Sequence, residues 1–343
     1  MLQTLQDLVR MSVASGSRVD YVQAGGGNTS CKFPDGSMAI KASGYLLKDM
    51  TENVGFVVVD AVKMRRYHEE DHPDTPDCNK ESMQLAIDSI HSINGEKAAR
   101  PSVEVGFHSV LDRFVLHLHP VYVNVLMCAK DGLKKALDLM ADTGLHCIGI
   151  PYTMPGYGLT KLIMAANADY EAAHGARPQV IFLENHGVVT TAETADGAMA
   201  LMDEVNDTLK AKLGLPDFPT PAIRKVAEHR YASACDYLNQ TMQGPVGNAC
   251  RYAPIYPDQL VYTSNELSID GSGKGKIALV DGVLYYTAGE KEAHALEETM
   301  LAVAYVYDCI ARLGLAYQEL TGEQCAQILG WDSEKYRKSL MTE

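Results

Sequence analysis

VLHLHPVYVN, residues 115–124, decides how the rest of the chain is read. Val115, Leu116 and Leu118 make an apolar run, and His117 and His119 stand one residue apart within it. On a strand, residues i and i+2 point to the same face. The spacing therefore predicts two imidazoles on one face at the end of an apolar strand, where they can grip one metal ion. Zinc takes His nitrogens readily and, at catalytic sites, commonly has three protein ligands plus an open position. The bland alternative is a pair of strand-end histidines without a ligand, and this pair alone does not exclude it.

A third ligand is offered by VIFLENHGVV, residues 180–189, where an apolar strand ends, His186 follows, and Gly187 allows the backbone to reverse. Both segments put histidine where a sheet ends, which is where α/β proteins build sites. In RPSVEVGFH, residues 100–108, Pro101 and Ser102 read as a helix start, with Glu104 in the first turn and His108 one turn later on the same face. Alone, Glu104 reads equally as a carboxylate favoured by the helix dipole. In AGGGNTS, residues 24–30, three glycines let the backbone approach a ligand closely and expose N–H groups, and Asn28, Thr29 and Ser30 add side-chain donors. Lys41-Ala42-Ser43-Gly44 supplies further small donors. Neither stretch is a Walker loop or a GxGxxG fingerprint, and tight turns are the plain alternative for both.

Around these motifs, segments 1–12, 79–93, 102–113, 129–141, 158–173 and 193–212 read as amphipathic helices. Met38–Lys41, Val54–Asp60, Phe114–Leu118, Cys147–Ile150 and Gln179–Leu183 read as strands, so the pattern is α/β. Gly214–Pro221 holds three prolines in eight residues and reads as a linker. Beyond it the sequence predicts a helix near 222–240, a loop-rich region over 243–273, and a hairpin of Lys276–Val280 and Val283–Thr287 turned by Asp281-Gly282. Two or three helices follow. The expected division is a first domain over 1–214 and a smaller α/β domain over 215–343.

The chain has 343 residues, enough for about two domains, and a net charge of 30 − 44 = −14. No basic run exceeds a pair such as Arg65-Arg66, which argues against nucleic acid as a partner. No segment is apolar for the roughly 18–20 residues of a membrane helix, and the first residues lack the pattern of a signal peptide. Eight scattered cysteines without a CxxC predict reduced thiols and a cytoplasmic protein. His68, His72, His91 and His174 read as surface residues, His108 as a packing partner of the site, and Glu69-Glu70-Asp71 and Glu297-Glu298 as solvated faces.

Taken in order, GGGNTS, KASG, PSVE, HLHP and ENHG resemble the class II aldolase/adducin family over about residues 1–212, and in particular the aldolase part of rhamnulose-phosphate aldolase/dehydrogenase fusions. No Rossmann GxGxxG occurs in the sequence. Tyr256-Pro257-Asp258-Gln259 resembles a segment that follows the aldolase core in those longer proteins. The resemblance implies a three-layer α/β/α sandwich. It also implies a homo-oligomer, a cyclic tetramer in the family. It makes His117, His119 and His186 the metal ligands, with zinc or another divalent transition metal as the cofactor, and Glu104 the catalytic acid/base. It places Gly27, Asn28, Ser43, Gly44 and Ser102 around a substrate phosphate. The implied activity is cleavage or formation of a C–C bond in a ketose or ketose phosphate through an enediolate, with decarboxylation or epimerisation at the same site, or a non-catalytic adducin-like module, as alternatives. Val103 stands where sugar-phosphate aldolases often have a second serine, which removes one hydroxyl from the cradle. For Glu104 to move a proton, a partly desolvated site is expected to raise its pKa.

Overall fold

The computed structural model describes residues 1–70, 72, 76–91, 99–264, 267–268 and 275–330. The first part holds strands β1 (Asn28–Lys32), β2 (Ser37–Lys41), β3 (Phe56–Asp60), β4 (Phe114–Leu118), β5 (Cys147–Ile150), β6 (Val180–Leu183) and β7 (Gly187–Ala192). Its helices are α1 (Leu2–Gly16), α2 (Ala61–Glu69), α3 (Pro76–Asp88), α4 (Val105–Val110), α5 (Val121–Met127), α6 (Gly132–Met140), α7 (Tyr157–His174) and α8 (Ala195–Leu213). The seven strands form one sheet in the order β3-β2-β1-β4-β7-β6-β5. Neighbours run antiparallel except β5 and β6.

Alternation along β4 sets the layers. Phe114, Leu116 and Leu118 pack with Leu5, Leu8 and Met11 of α1 and with Met202, Val205 and Leu209 of α8. Val115 points the other way and packs with Phe107 of α4, Ile148 and Ile150 of β5, and Leu159 and Ile163 of α7. Each fully buried side chain of this size contributes about 1.5–3 kcal/mol of burial free energy, so a one-residue slip of β4 would exchange both apolar faces. Helices cover both faces, and the expected α/β/α sandwich is the observed architecture. His117 shares the face of Val115 and meets the edge of the Phe107 ring at 5.8 Å.

The second part adds β8 (Ile223–Ala227), β9 (Arg230–Ser233), β10 (Leu267–Ser268), β11 (Ile277–Val280) and β12 (Val283–Thr287), in the sheet order β10-β11-β12-β9-β8. Its helices are α9 (Asp236–Met242), α10 (Pro245–Tyr252), α11 (Glu290–Arg312) and α12 (Gly322–Gly330). The hairpin at Asp281-Gly282 is present, with both residues at positive φ, 50° and 78°, as a tight I′ turn requires. The helix expected near 222–240 is a second hairpin followed by α9. β8 is an edge strand exposed on both faces, so it shows no alternation, and His229 turns the chain with a left-handed φ of 50°. The region expected to be loop-rich carries α10 and a π-helical turn at Gln259–Ser264.

The two parts share a core. Val121, Tyr122 and Val125 of α5 join Tyr256, Leu296, Met300 and Val303 in one apolar cluster. Two polar residues expected at the surface are buried. His68 is fully enclosed, its Nδ1 on the Met64 carbonyl at 2.8 Å and its ring stacked on Tyr157. Glu297 is fully enclosed and accepts from Tyr286 Oη at 2.5 Å and Ser233 Oγ at 2.9 Å. Asp71 lies outside the described residues. None of the eight cysteines forms a disulfide. No helix among the described residues is long and apolar enough to cross a membrane.

Candidate metal centre

β4 carries His117 between two partners, Asn28 of β1 on one side and Val189 of β7 on the other. His119 follows the strand's last residue, its backbone N–H held by the Tyr21 carbonyl at 3.1 Å. His186 sits in the turn between β6 and β7, where Leu183 pairs with Gly187 and Asn185 takes a left-handed φ of 52°. Gly187 has no room for a side chain, because a Cβ there would lie 2.3 Å from the Leu118 carbonyl oxygen and 2.9 Å from His119 Cδ2. The glycine thus lets the turn close onto the end of β4 and brings the third histidine to the first two.

The three imidazoles converge. His117 Nε2 lies 3.2 Å from His119 Nε2 and 3.3 Å from His186 Nε2, and all three rings are buried. The outer nitrogens say which atoms carry protons. His117 Nδ1 contacts the Val188 carbonyl at 3.1 Å, and a carbonyl only accepts, so Nδ1 holds the proton and Nε2 presents a lone pair. His119 Nδ1 contacts Asp258 Oδ2 at 2.5 Å, which has the same consequence. Burial also lowers the pKa of His117, keeping the ring neutral. Lone pairs facing one another at this range repel unless a cation lies between them. The donor set therefore fits a divalent metal bound by three neutral imidazoles.

Glu104 stands at the N-cap position of α4, its side chain turned away from the helix's backbone N–H groups, and is buried beside this cluster. Its Oε2 is 3.4 Å from His117 Nε2 and its Oε1 3.6 Å from His186 Nε2. Oε2 accepts from Asn28 Nδ2 at 2.6 Å, whereas buried Oε1 accepts no hydrogen bond among the described residues. Burial pushes the carboxyl up, but the positive charge that His117 and His186 carry when protonated at low pH, together with the Asn28 amide, outweighs it and holds the group below its ordinary value. This corrects the expectation of a raised pKa.

The residues expected around a phosphate are placed as follows. Asn28 is buried, and its amide is directed at protein: Nδ2 also reaches Ser102 Oγ at 3.1 Å, and Oδ1 accepts from His108 Nε2. His108 is fully enclosed and held neutral by burial, and its Nδ1 accepts from Ser30 Oγ at 2.7 Å. Asn28 and His108 thus form a relay that fixes Glu104. Gly27 opens β1 at φ 63°, pressed against the His117 carbonyl, and its own carbonyl accepts from buried Lys41 Nζ at 3.0 Å. Ser43 N donates to the Arg100 carbonyl at 2.8 Å, and Ala42 bridges to Pro101, so Ser43 and Gly44 lie along the segment that carries Ser102 and Glu104.

The sequence reading missed the role of the Tyr256-Pro257-Asp258-Gln259 segment. Asp258 is buried against His119, a pairing of residues 139 apart in the chain. Spacing gives no sign of this contact; an aspartate in an otherwise apolar stretch was the one available hint.

The model of the Class II Aldolase and Adducin N-terminal domain matches residues 6–213. The chain belongs to the class II aldolase and adducin family. Among solved structures, the N-terminal class II aldolase domain of a conserved protein from Thermoplasma acidophilum is similar, with a TM-score of 0.50 and 21% identity over 61% of this chain and 93% of that one. YgbL from Escherichia coli (TM-score 0.42, 22% identity, 65% of this chain and 93% of that one) is also similar. So is an L-fuculose 1-phosphate aldolase (TM-score 0.42, 19% identity, 61% and 84%). At such identities the likeness concerns the fold. A search of curated proteins found no match.

Proposed function

We propose that this family member is a metal-dependent aldolase that cleaves or forms a C–C bond in a ketose or ketose phosphate. The observation that carries the reading is the convergence of three buried imidazole Nε2 atoms beside the orphaned carboxylate oxygen of Glu104. His117, His119 and His186 would hold the ion, and three histidines favour zinc, nickel or cobalt over magnesium. The ion supplies Lewis-acid stabilisation of the negative charge that develops when a bond next to a carbonyl breaks, a contribution of several kcal/mol. Glu104 moves the proton at the adjacent carbon through Oε1, while the Asn28 amide holds Oε2. The His108–Asn28 relay keeps the carboxylate from swinging away. Gly27, Ser43, Gly44 and Ser102 orient the far end of the substrate; Val103 and the committed Asn28 amide make this a sparser cradle than the motifs alone imply.

The test is proton exchange at C3 of dihydroxyacetone phosphate in heavy water, followed by NMR with and without a chelator. Metal-dependent exchange supports the reading and identifies a phosphorylated three-carbon donor. A metal-loaded protein that exchanges no proton overturns the aldolase assignment with this donor and directs the search to decarboxylation or epimerisation. A protein that retains no metal returns the chain to the non-catalytic, adducin-like class.

A further inference from the structure

The part of the chain beyond the family match reaches into the histidine cluster at two points. Asp258 Oδ2 lies 2.5 Å from His119 Nδ1, with both side chains buried. Asn185, next to His186, donates through Nδ2 to the carbonyls of Ile255 and Gln318, each at 2.8 Å. The intervening loop is itself braced: Gln259 Oε1 accepts from Ile255 N at 2.9 Å and Gln259 Nε2 donates to the Cys250 carbonyl at 3.0 Å. The first part makes room for the intrusion. A Cβ on Gly26 would lie 2.6 Å from Asp258 Oδ2 and 3.2 Å from His119 Nδ1, so a larger residue there would push the carboxylate off the ring.

We propose that Asp258 is a positioning residue for His119, so that the second part completes the metal centre rather than standing beside it. The inference rests on the proposed metal site. Its physical content is threefold. The carboxylate fixes the tautomer, because it accepts only from a protonated Nδ1, which leaves Nε2 free to bind. It fixes the ring's rotation, which a strand-end histidine otherwise adjusts freely. It also supplies negative charge: with Glu104, two carboxylates stand beside a site for a dication, and this balance favours a divalent over a monovalent ion. A buried carboxylate is costly unless it is well partnered, and the His119 ring N–H is one partner it has here.

The experiment measures affinity for Co²⁺ and Zn²⁺ by competition with a chromophoric chelator, together with the visible spectrum of the Co²⁺ form. Full-length protein is compared with Asp258→Asn, Asp258→Ala and His119→Ala. Outer partners of metal-bound histidines are typically worth 10- to 100-fold in affinity. Asp258→Ala, which removes the acceptor, should weaken binding by that factor and shift the Co²⁺ bands; Asp258→Asn, which keeps an acceptor and loses only the charge, should weaken it less and keep the parent's circular dichroism. Equal affinity and an identical spectrum in Asp258→Ala, which removes the acceptor, with metal lost in His119→Ala, would overturn the positioning role and leave the metal site standing. No metal bound by the parent protein would overturn both. A ¹⁵N NMR readout in metal-free protein adds a check: His119 should be the Nδ1–H tautomer in the parent, and finding Nε2–H there would also defeat the proposal.

Discussion

Gly187→Ala tests whether close approach, rather than backbone conformation, assembles the histidines. Gly187 pairs in register with Leu183 and is not at positive φ, so alanine meets no conformational penalty there. The added Cβ, however, would sit 2.3 Å from the Leu118 carbonyl oxygen, 2.9 Å from His119 Cδ2 and 3.3 Å from His119 Cα. An ordinary carbon–oxygen contact is about 3.3 Å, so the turn and the end of β4 must separate by about 1 Å, and overpacking of this kind costs about 2–3 kcal/mol. The movement lies between His119 and His186, and ligands displaced by this amount lose roughly 10- to 100-fold in binding. Urea unfolding measures the first effect as a fall in the midpoint at unchanged slope, and chelator competition measures the second. Gly158→Ala is the control: its Cβ meets only Thr153 Cγ2, at 3.7 Å, inside α7, so it should be neutral or add up to about 1 kcal/mol of stability. A Gly187→Ala protein with the parent's midpoint and metal affinity would refute the argument.

Glu104→Gln should retain metal yet lose at least about 100-fold in proton exchange, whereas His117→Ala should retain no metal; full exchange by the Gln variant would reject Glu104 as the acid/base. Asn28→Ala leaves Glu104 Oε2 and His108 Nε2 without their partner. It should cost about 2 kcal/mol of stability in urea and lower exchange while leaving metal content intact. Glu297 is raised above its ordinary value by burial, against the pull of Tyr286 and Ser233. Between the unfolded and the raised folded pKa the native state binds the extra proton, so stability falls as pH rises through that window and the loss persists at neutral pH. Glu297→Gln should flatten this slope. Unfolding free energies measured from pH 4 to pH 8 should show the variant gaining on the parent as pH rises, and parallel curves would contradict the assignment.

What the sequence determined by itself was local. β4 was legible because its side chains alternate with period two, and the β11–β12 hairpin because Asp281-Gly282 carries its turn chemistry within two residues. The His117–His119 pair was legible because its spacing is a property of one strand. The family motifs then placed His186 and Glu104 in the same chemistry, and the structure brings all four side chains together. The tertiary structure decided whatever depends on partners distant in sequence. β1 follows the three glycines and is a strand only because β2 and β4 flank it in register. Exposed β8 lacks the alternation that would have marked it. His68 and Glu297 look like surface residues until Tyr157 and Tyr286 close over them. The pKa of Glu104 turned on the balance between burial and three imidazoles from two other strands' ends, which composition does not encode. Asp258 belongs to the same class: its contact with His119 exists because α5 and α11 pack into one core and carry a loop 139 residues away onto the end of β4. Side-chain periodicity reports which face of an element is apolar, but only packing reports what that face meets.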